Sequence, residues 1–302
     1  MAPDLIGIVI QGPLVSTGRT GRTAKVGFGN VTPDDIVSFD CFSLIASLFE
    51  RYGKRYQMVC VVWDTDPEER RQALKKLLPP GAVLEISDDT RPIAAKGEVI
   101  PGNNKYRQIR SSLAGFEILR ARGCAHLGKI RSDQDIDLDV LMGDYCAMMG
   151  SGKVLVPRFV SRSPDVLADF YFMGQAELMI NLFQKYLEKP EMFSSIHTDI
   201  FYSWAEELIG PAQWPLRLRG SPLFDGYVRS VWTRLCPASR TLYAGLIWRG
   251  EPIDMEANTD LFAEDFERQS ESALLVQRSV LRWLAHRLVR RTRRAIGYLG
   301  LG

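Results

Sequence analysis

The sequence predicts an α/β fold, a mostly parallel sheet flanked by helices on both sides. Three observations carry this. Short apolar, β-branched runs at 5–10 (LIGIVI) and 56–63 (YQMVCVVW), with a further short strand over 126–130, are separated by segments whose apolar residues recur at helical spacing. Each run ends in polar turn residues, QGP, WDTD and RSDQD in that order. With 302 residues, 46% of them hydrophobic, the chain has material for a substantial core. Strands that alternate with helices in this way build right-handed crossovers, and ligands then sit at the carboxyl ends of the strands.

Taken in order, LIGIVI is too short for an export signal or a membrane span and reads as a buried first strand. Residues 12–30 are rich in glycine (Gly18, Gly21, Gly27, Gly29) and basic (Arg19, Arg22, Lys25) with no acid. They match neither a phosphate-cradling P-loop nor a dinucleotide fingerprint, so a basic loop over a diphosphate and a solvated surface loop both remain open. Thr32-Pro33-Asp34-Asp35 predicts a helix start, with Val37, Cys41, Leu44, Leu48, Phe49 and Tyr52 as its apolar positions and Gly53 as its stop. The run 56–63 is apolar on both faces and suits a strand covered by helices. Asp64-Thr65-Asp66-Pro67 opens a second helix to about residue 78, and 82–86 is a third strand. Asn103-Asn104 caps a third helix with Tyr106, Ile109, Leu113 and Phe116 facing inward and Gly123 after it. The strand 126–130 then delivers the acidic cluster of 133–139, and a helix begins near Leu138. Strands over 153–159 and 169–173 and helices over 175–187 and 198–208 follow.

The net charge of +2 hides an asymmetry. Residues 272–302 hold seven of the 38 basic residues and none of the 36 acidic ones, which leaves the body with 31 against 36, a balance of −5. The body therefore gives no reason to expect nucleic acid as a partner. Within 274–299, Leu281, Leu284, Leu288, Ile296 and Leu299 share a helical face and the arginines lie largely elsewhere, the pattern of a basic amphipathic helix. Such a helix lies on an anionic inner leaflet, or packs on the acidic body or a second subunit. The five cysteines form an odd set without a C-x-x-C pair, which points to a reduced, cytoplasmic compartment; whether the tail also gives peripheral inner-membrane contact stays open between those alternatives.

Asp133-Gln134-Asp135 at the end of the fourth strand is an Asp-x-Asp pair, hard oxygen ligands on a turn that suit Mn²⁺ or Mg²⁺ shared with a diphosphate. Asp137 and Asp139 read better as cap and first-turn residues of the next helix. Lys105 and Arg107 sit at a helix N-terminus, where an anion can dock, although a solvated basic face accounts for them as well. Asp64 and Asp66 after the second strand are candidates to accept hydrogen bonds from a base or ribose, or they form a routine helix entry. Asp169 heads the apolar stretch FYFMG and is a candidate general base, with His197, Asp199, Glu206 and Glu207 as competitors for that role or for a third metal ligand.

IVIQGPL at 8–14, NNKYRQIRSS at 103–112, KIRSDQDI at 129–136 and DFYFMG at 169–174 together resemble the WavE family of bacterial lipopolysaccharide-synthesis proteins. The resemblance spans roughly residues 5–210. It implies a GT-A-like, Rossmann-type α/β fold over 1–250, with 251–302 as a C-terminal extension, and a nucleotide-sugar-dependent glycosyltransferase acting on a glycan or lipid-linked acceptor. With the residue reading above, the candidate substrate contacts are Gln11, Gly12, Pro13, Asp64, Asn104, Lys105, Arg107, Gln108, Lys129 and Arg131, of which the resemblance carries over Asn104, Lys105, Arg107, Gln108 and Arg131. Asp133 and Asp135 are then the candidate metal ligands, and Asp133 and Asp169 the catalytic carboxylates, Asp169 as base. The chain has Ala168 where the family pattern has a serine before that last aspartate. A sugar nucleotidyltransferase, or a non-catalytic membrane-associated scaffold of a glycan assembly complex, are the alternatives.

Overall fold

The computed structural model of the chain describes residues 5–23, 32–87, 93–95, 98–100, 104–161, 163–188, 195–210, 222–254 and 260–268. The amphipathic segment expected over 274–299 and the glycines at 27 and 29 lie outside them. In chain order the elements that position the site are β1 (Ile6–Gln11), β2 (Val15–Gly18), β3 (Val37–Asp40), α1 (Cys41–Tyr52), β4 (Gln57–Trp63), α2 (Glu68–Leu77) and β5 (Val83–Ile86). Next come the short strands β6 (Ile93–Ala95) and β7 (Glu98–Ile100), then α3 (Asn104–Ala121), β8 (His126–Arg131), β9 (Gln134–Asp135) and α4 (Leu138–Met148). The second half adds β10 (Val154–Val156), β11 (Phe159–Val160), β12 (Phe172–Gln175), α5 (Ala176–Leu187) and α6 (Ile196–Ile209). It closes with a helix at Pro222–Trp232, β13 (Leu235–Pro237), a short helix at Arg240–Ala244, β14 (Ile247–Trp248), β15 (Glu251–Pro252), β16 (Asp260–Leu261) and a helix at Ala263–Arg268.

Seven strands form the central sheet in the order β13-β10-β12-β8-β1-β4-β5. All neighbours pair in parallel except β12, which runs antiparallel to both β8 and β10. The expected mostly parallel α/β sheet is what the chain builds. Successive strand residues point to opposite faces, and here both faces are dry. Ile8, Ile10, Met58, Cys60 and Val62 join one core with α1 and α4, whereas Val9, Val59 and Val61 join the other with α3, α5 and α6.

Two local expectations are corrected. The helix expected from Pro33 is only a single 3₁₀ turn, Pro33–Asp35, closed by Thr32 and Asp35 hydrogen bonds. Val37–Asp40 then pairs antiparallel with β2, a tertiary contact that overrides the capping signal, and Asp40 caps α1 by accepting from the Phe42 amide at 3.0 Å. The strand expected over 169–173 starts at Phe172, and its direction is reversed relative to its neighbours. The expected division at residue 250 falls inside the β14–β15 hairpin. β16 pairs with β11, and Phe262 is fully buried in the core, so residues 260–268 pack as part of the body. None of the five cysteines is paired. No helix among the described residues is long and apolar enough to cross a membrane.

α3 crosses the sheet at close range through Gly115. A Cβ there would stand 2.6 and 2.7 Å from the two γ-carbons of Val9 and 3.1 Å from Val61. Gly115→Ala therefore forces the helix outward despite the better helix propensity of alanine. We expect a net loss of about 1–3 kcal/mol, read as a lower urea midpoint with unchanged slope. An unchanged midpoint would show that the helix is not held so closely.

Candidate functional site

The parallel strands β4, β1 and β8 end side by side, with Gln11 in register with Arg131 and with Val61. The turns that follow are stitched together. The Ser132 amide donates to the Gln11 carbonyl at 2.8 Å, and the Ser132 hydroxyl donates to the Pro13 carbonyl at 3.0 Å. Gly12 lies between them at φ 139°, and a Cβ on it would stand 2.3 Å from the Ser132 hydroxyl oxygen. Both the backbone conformation and the space call for glycine.

Antiparallel β12 explains how Asp169 reaches the same place. Its N-terminal end lies beside the C-terminal end of β8, with Phe172 opposite Lys129. The residues just before it therefore emerge at the edge where the parallel strands finish. Arg131 is the centre of the arrangement. Its Nε and Nη2 donate to the two oxygens of Asp133 at 2.9 and 3.1 Å, and its Nη1 donates to Asp169 Oδ2 at 3.0 Å. Lys129, fully enclosed, donates to the Asp169 carbonyl. Burial pushes its ammonium down to about 7, against the opposing pull of the Asp169 carboxylate.

A second guanidinium comes from the β14–β15 hairpin, which extends β9 through pairing of Trp248 with Gln134. The Arg249 amide donates to the Asp133 carbonyl at 2.9 Å, and its Nε lies 3.1 Å from Asp133 Oδ2 and 3.0 Å from the Ser16 hydroxyl. The Trp248 indole N–H donates to Asp133 Oδ2 at 3.1 Å, as does the Ser16 hydroxyl at 2.8 Å. Burial alone would raise the Asp133 carboxyl. Arg131, Arg249 and Ser16 outweigh it and hold the group far below the usual carboxylate range. Asp169 follows the same pattern: burial raises it, while Arg131, His197 and Lys129 bring it down to about 2.

Two cavities open on this network. The first, about 300 Å³, is lined by Gln11, Gly12, Pro13 and Ser16, by the faces of Trp63 and Arg107, and by Gln108, Arg131, Asp133 and Arg249. The Arg107 guanidinium lies 5.6 Å from the centre of the Trp63 ring. The second, about 520 Å³, is lined by Asp169, His197, Arg19, Arg158 and Asp260 and by the aromatic side chains of Phe170, Tyr243 and Trp248. Gln108 and Arg131 line both. Gln108 Oε1 is enclosed without a hydrogen-bond partner, an acceptor at the junction. His197 Nδ1 lies 3.1 Å from the Leu167 carbonyl and 3.6 Å from Asp169 Oδ1. A carbonyl only accepts, so in the neutral imidazole Nδ1 carries the hydrogen and Nε2 the lone pair.

Of the residues expected from sequence, Gln11, Gly12, Pro13, Arg107, Gln108, Arg131, Asp133 and Asp169 are brought together. Others are placed elsewhere. Asp64 is exposed beyond β4, outside both linings. Asp66 accepts from the Trp63 and Leu14 amides and so shapes the turn. Lys105 pairs with Asp199 at 2.8 Å, tying α3 to α6. Lys129 supports Asp169 from within. Asn104 is helical, and Asp137 and Asp139 serve α4 as expected, Asp137 capping it.

Asp135 does not join Asp133. It faces Arg51 at 2.5 Å and lines neither cavity. A divalent ion would supply Lewis-acid neutralisation of a leaving diphosphate, but this donor set does not fit one. Asp133 is already committed to two guanidinium groups, a hydroxyl and an indole, and the described residues contain no group of three or more His, Cys, Asp or Glu side chains able to hold a metal ion. Ser16, Trp248, Arg249, Arg158 and Tyr243 were not expected. The only sequence signal is Trp248-Arg249-Gly250, aromatic and cationic residues before a turn glycine.

No family model matches the chain, and no curated protein matches it in sequence. Among solved structures it is similar to a 4-diphosphocytidyl-2C-methyl-D-erythritol synthase from Anaerococcus prevotii, with a TM-score of 0.38 and 11% identity over 66% of this chain and 81% of that one. A mannose-1-phosphate geranyltransferase from Thermus thermophilus gives a TM-score of 0.33 and 9% identity over 66% of this chain and 67% of that one. At those values the likenesses bear on no substrate or reaction.

Proposed function

We propose that the protein is a glycosyltransferase that moves a sugar from a nucleotide-diphosphate donor to a hydroxyl of a lipopolysaccharide or other surface polysaccharide. The observation that supports this reading best is the pair of cavities sharing Arg131 and Gln108 at the carboxyl edge of the sheet. The first has a guanidinium-rich floor beside an aromatic wall at Trp63, chemistry suited to a diphosphate and a base. The second has aromatic faces, carboxylates and an imidazole, chemistry suited to a carbohydrate. The donor diphosphate lies against Arg131, Arg249 and Arg107, and its sugar reaches the junction, where Gln108 Oε1 accepts from a sugar hydroxyl. The acceptor enters through the second cavity, and its attacking hydroxyl gives its proton to His197 Nε2.

This moves the general-base role from Asp169 to its neighbour. A carboxyl held at about 2 is a weak base near neutral pH; the Leu167 carbonyl, 3.1 Å from Nδ1, orients the imidazole, and the Asp169 carboxylate 3.6 Å away serves as a counter-charge for the imidazolium that forms. The charge that builds on the leaving diphosphate meets fixed guanidinium donors that need no reorganisation.

The test incubates the full chain with a panel of radiolabelled nucleotide sugars and lipopolysaccharide core acceptors, alongside a parallel assay with sugar phosphates and nucleoside triphosphates. Transfer of label to the acceptor is expected. Diphosphate release in the second assay without transfer in the first would replace this reading by a nucleotidyltransferase.

A further inference from the structure

We infer that the first cavity grips its diphosphate without a divalent cation, using the two arginines that Asp133 holds, Arg131 and Arg249. This rests on the donor reading above and says how the charge is met. Asp133 Oδ1 accepts from Arg131 Nε at 2.9 Å. Its Oδ2 accepts from Ser16, Arg131 and Trp248 between 2.8 and 3.1 Å, and Arg249 Nε, whose hydrogen goes to the Ser16 hydroxyl, lies 3.1 Å away as an ion pair. A carboxylate oxygen offers about two lone pairs, so this one is saturated before any metal arrives. A cation at this oxygen would also have to sit within contact range of two guanidinium groups.

The acid at 133 is therefore a positioning group, and the arginines are the ligand-facing ones. Arg131 commits three of its five N–H donors to Asp133 and Asp169, leaving two among the described residues. The cavity lining carries three arginines, Arg107, Arg131 and Arg249, against the single carboxylate of Asp133. The acidic partner that a metal would need, Asp135, is spent on Arg51.

Arg249 shows that the second guanidinium is a built feature. It is the one non-glycine residue with positive φ among the described residues, at 49°. That conformation persists because the surroundings over-determine it. Its amide is fixed to the Asp133 carbonyl, its Nη1 donates to the Arg19 carbonyl at 2.6 Å, and its guanidinium lies 4.7 Å from the Trp248 ring centre. The hairpin tip is bent so that this side chain enters the cavity.

The experiment is calorimetric titration of the full chain with UDP, GDP, CDP, ADP and dTDP, in EDTA and again in Mn²⁺, with electron paramagnetic resonance of free Mn²⁺ in parallel. At least one nucleoside diphosphate is expected to bind with the same Kd, within about twofold, in both buffers. The protein should not deplete the free Mn²⁺ signal. Arg249→Gln should weaken that nucleotide by about tenfold or more, the loss of a charge-assisted contact. Should that variant fail to fold, the EDTA comparison on the unaltered chain decides alone. Binding that requires Mn²⁺, or tightens more than about tenfold with it, overturns the metal-free grip while leaving the transferase reading intact. Absence of binding by all five in either buffer overturns both.

Discussion

Asp133→Ala should lower the unfolding free energy by about 3–5 kcal/mol, the loss seen when one partner of a buried ion pair is removed. The reason is what stays behind. Arg131 and Arg249 would remain enclosed, with side chains only 13% and 9% exposed and their shared counter-charge gone. Ser16 and Trp248 would lose an acceptor as well. Asp133→Asn keeps the shape and an acceptor oxygen, and should lose less. The measurement is a urea midpoint for each variant at neutral pH. A loss below about 1 kcal/mol for alanine would mean that the network is wetter and weaker than its geometry shows. The pH dependence gives an independent reading. Asp133 and Asp169 have folded-state pKa values depressed below the unfolded value of about 3.9. Their contribution is fully present above that value and is lost as pH falls through about 4 towards about 2 and below. Asp133→Ala should therefore flatten the acid limb of the stability curve relative to the unaltered chain.

How much of this was legible in the residues follows from where the information lies. β1 and β4 were readable because a strand buried on both faces must be apolar at every position, and 5–10 and 56–63 are nearly so, whereas 126–130 carries His126 and Lys129 and was read from its place between the third helix and the acidic turn. The ends of α3 were readable from Asn104 and Gly123, which are local signals. Strand direction is not local. Nothing in FYFMG says that it runs against its neighbours, yet that reversal is what brings Asp169 to Arg131. The same limit applies to Asp133. Two acids spaced as Asp-x-Asp suggest a shared cation when read alone, but the turn sends one to Arg51 and the other to a hairpin far along the chain. The helix start at Pro33 failed for a related reason, since a capping box forms there but strand pairing with β2 takes the residues that follow.

His197→Asn should reduce sugar transfer by about 10²–10⁴-fold, the usual contribution of a positioned general base, with donor affinity unchanged within about twofold. The split between the two readouts is the point. Arg107, Arg131 and Arg249 line the first cavity, while His197 lines only the second. Its removal should leave nucleoside diphosphate binding alone and slow the step in which the acceptor hydroxyl loses its proton. The imidazole side chain is 38% exposed, enough for a small molecule to reach the space it vacates. Added imidazole should therefore restore part of the activity of His197→Ala, which a purely structural role for the residue would not allow. Asp169→Asn is the counterpart. Because Asp169 also neutralises Arg131, its loss should affect transfer, donor affinity and stability together. If His197→Asn transfers sugar within about tenfold of the unaltered chain, the proton goes elsewhere, and the aromatic cavity is a binding surface without a base.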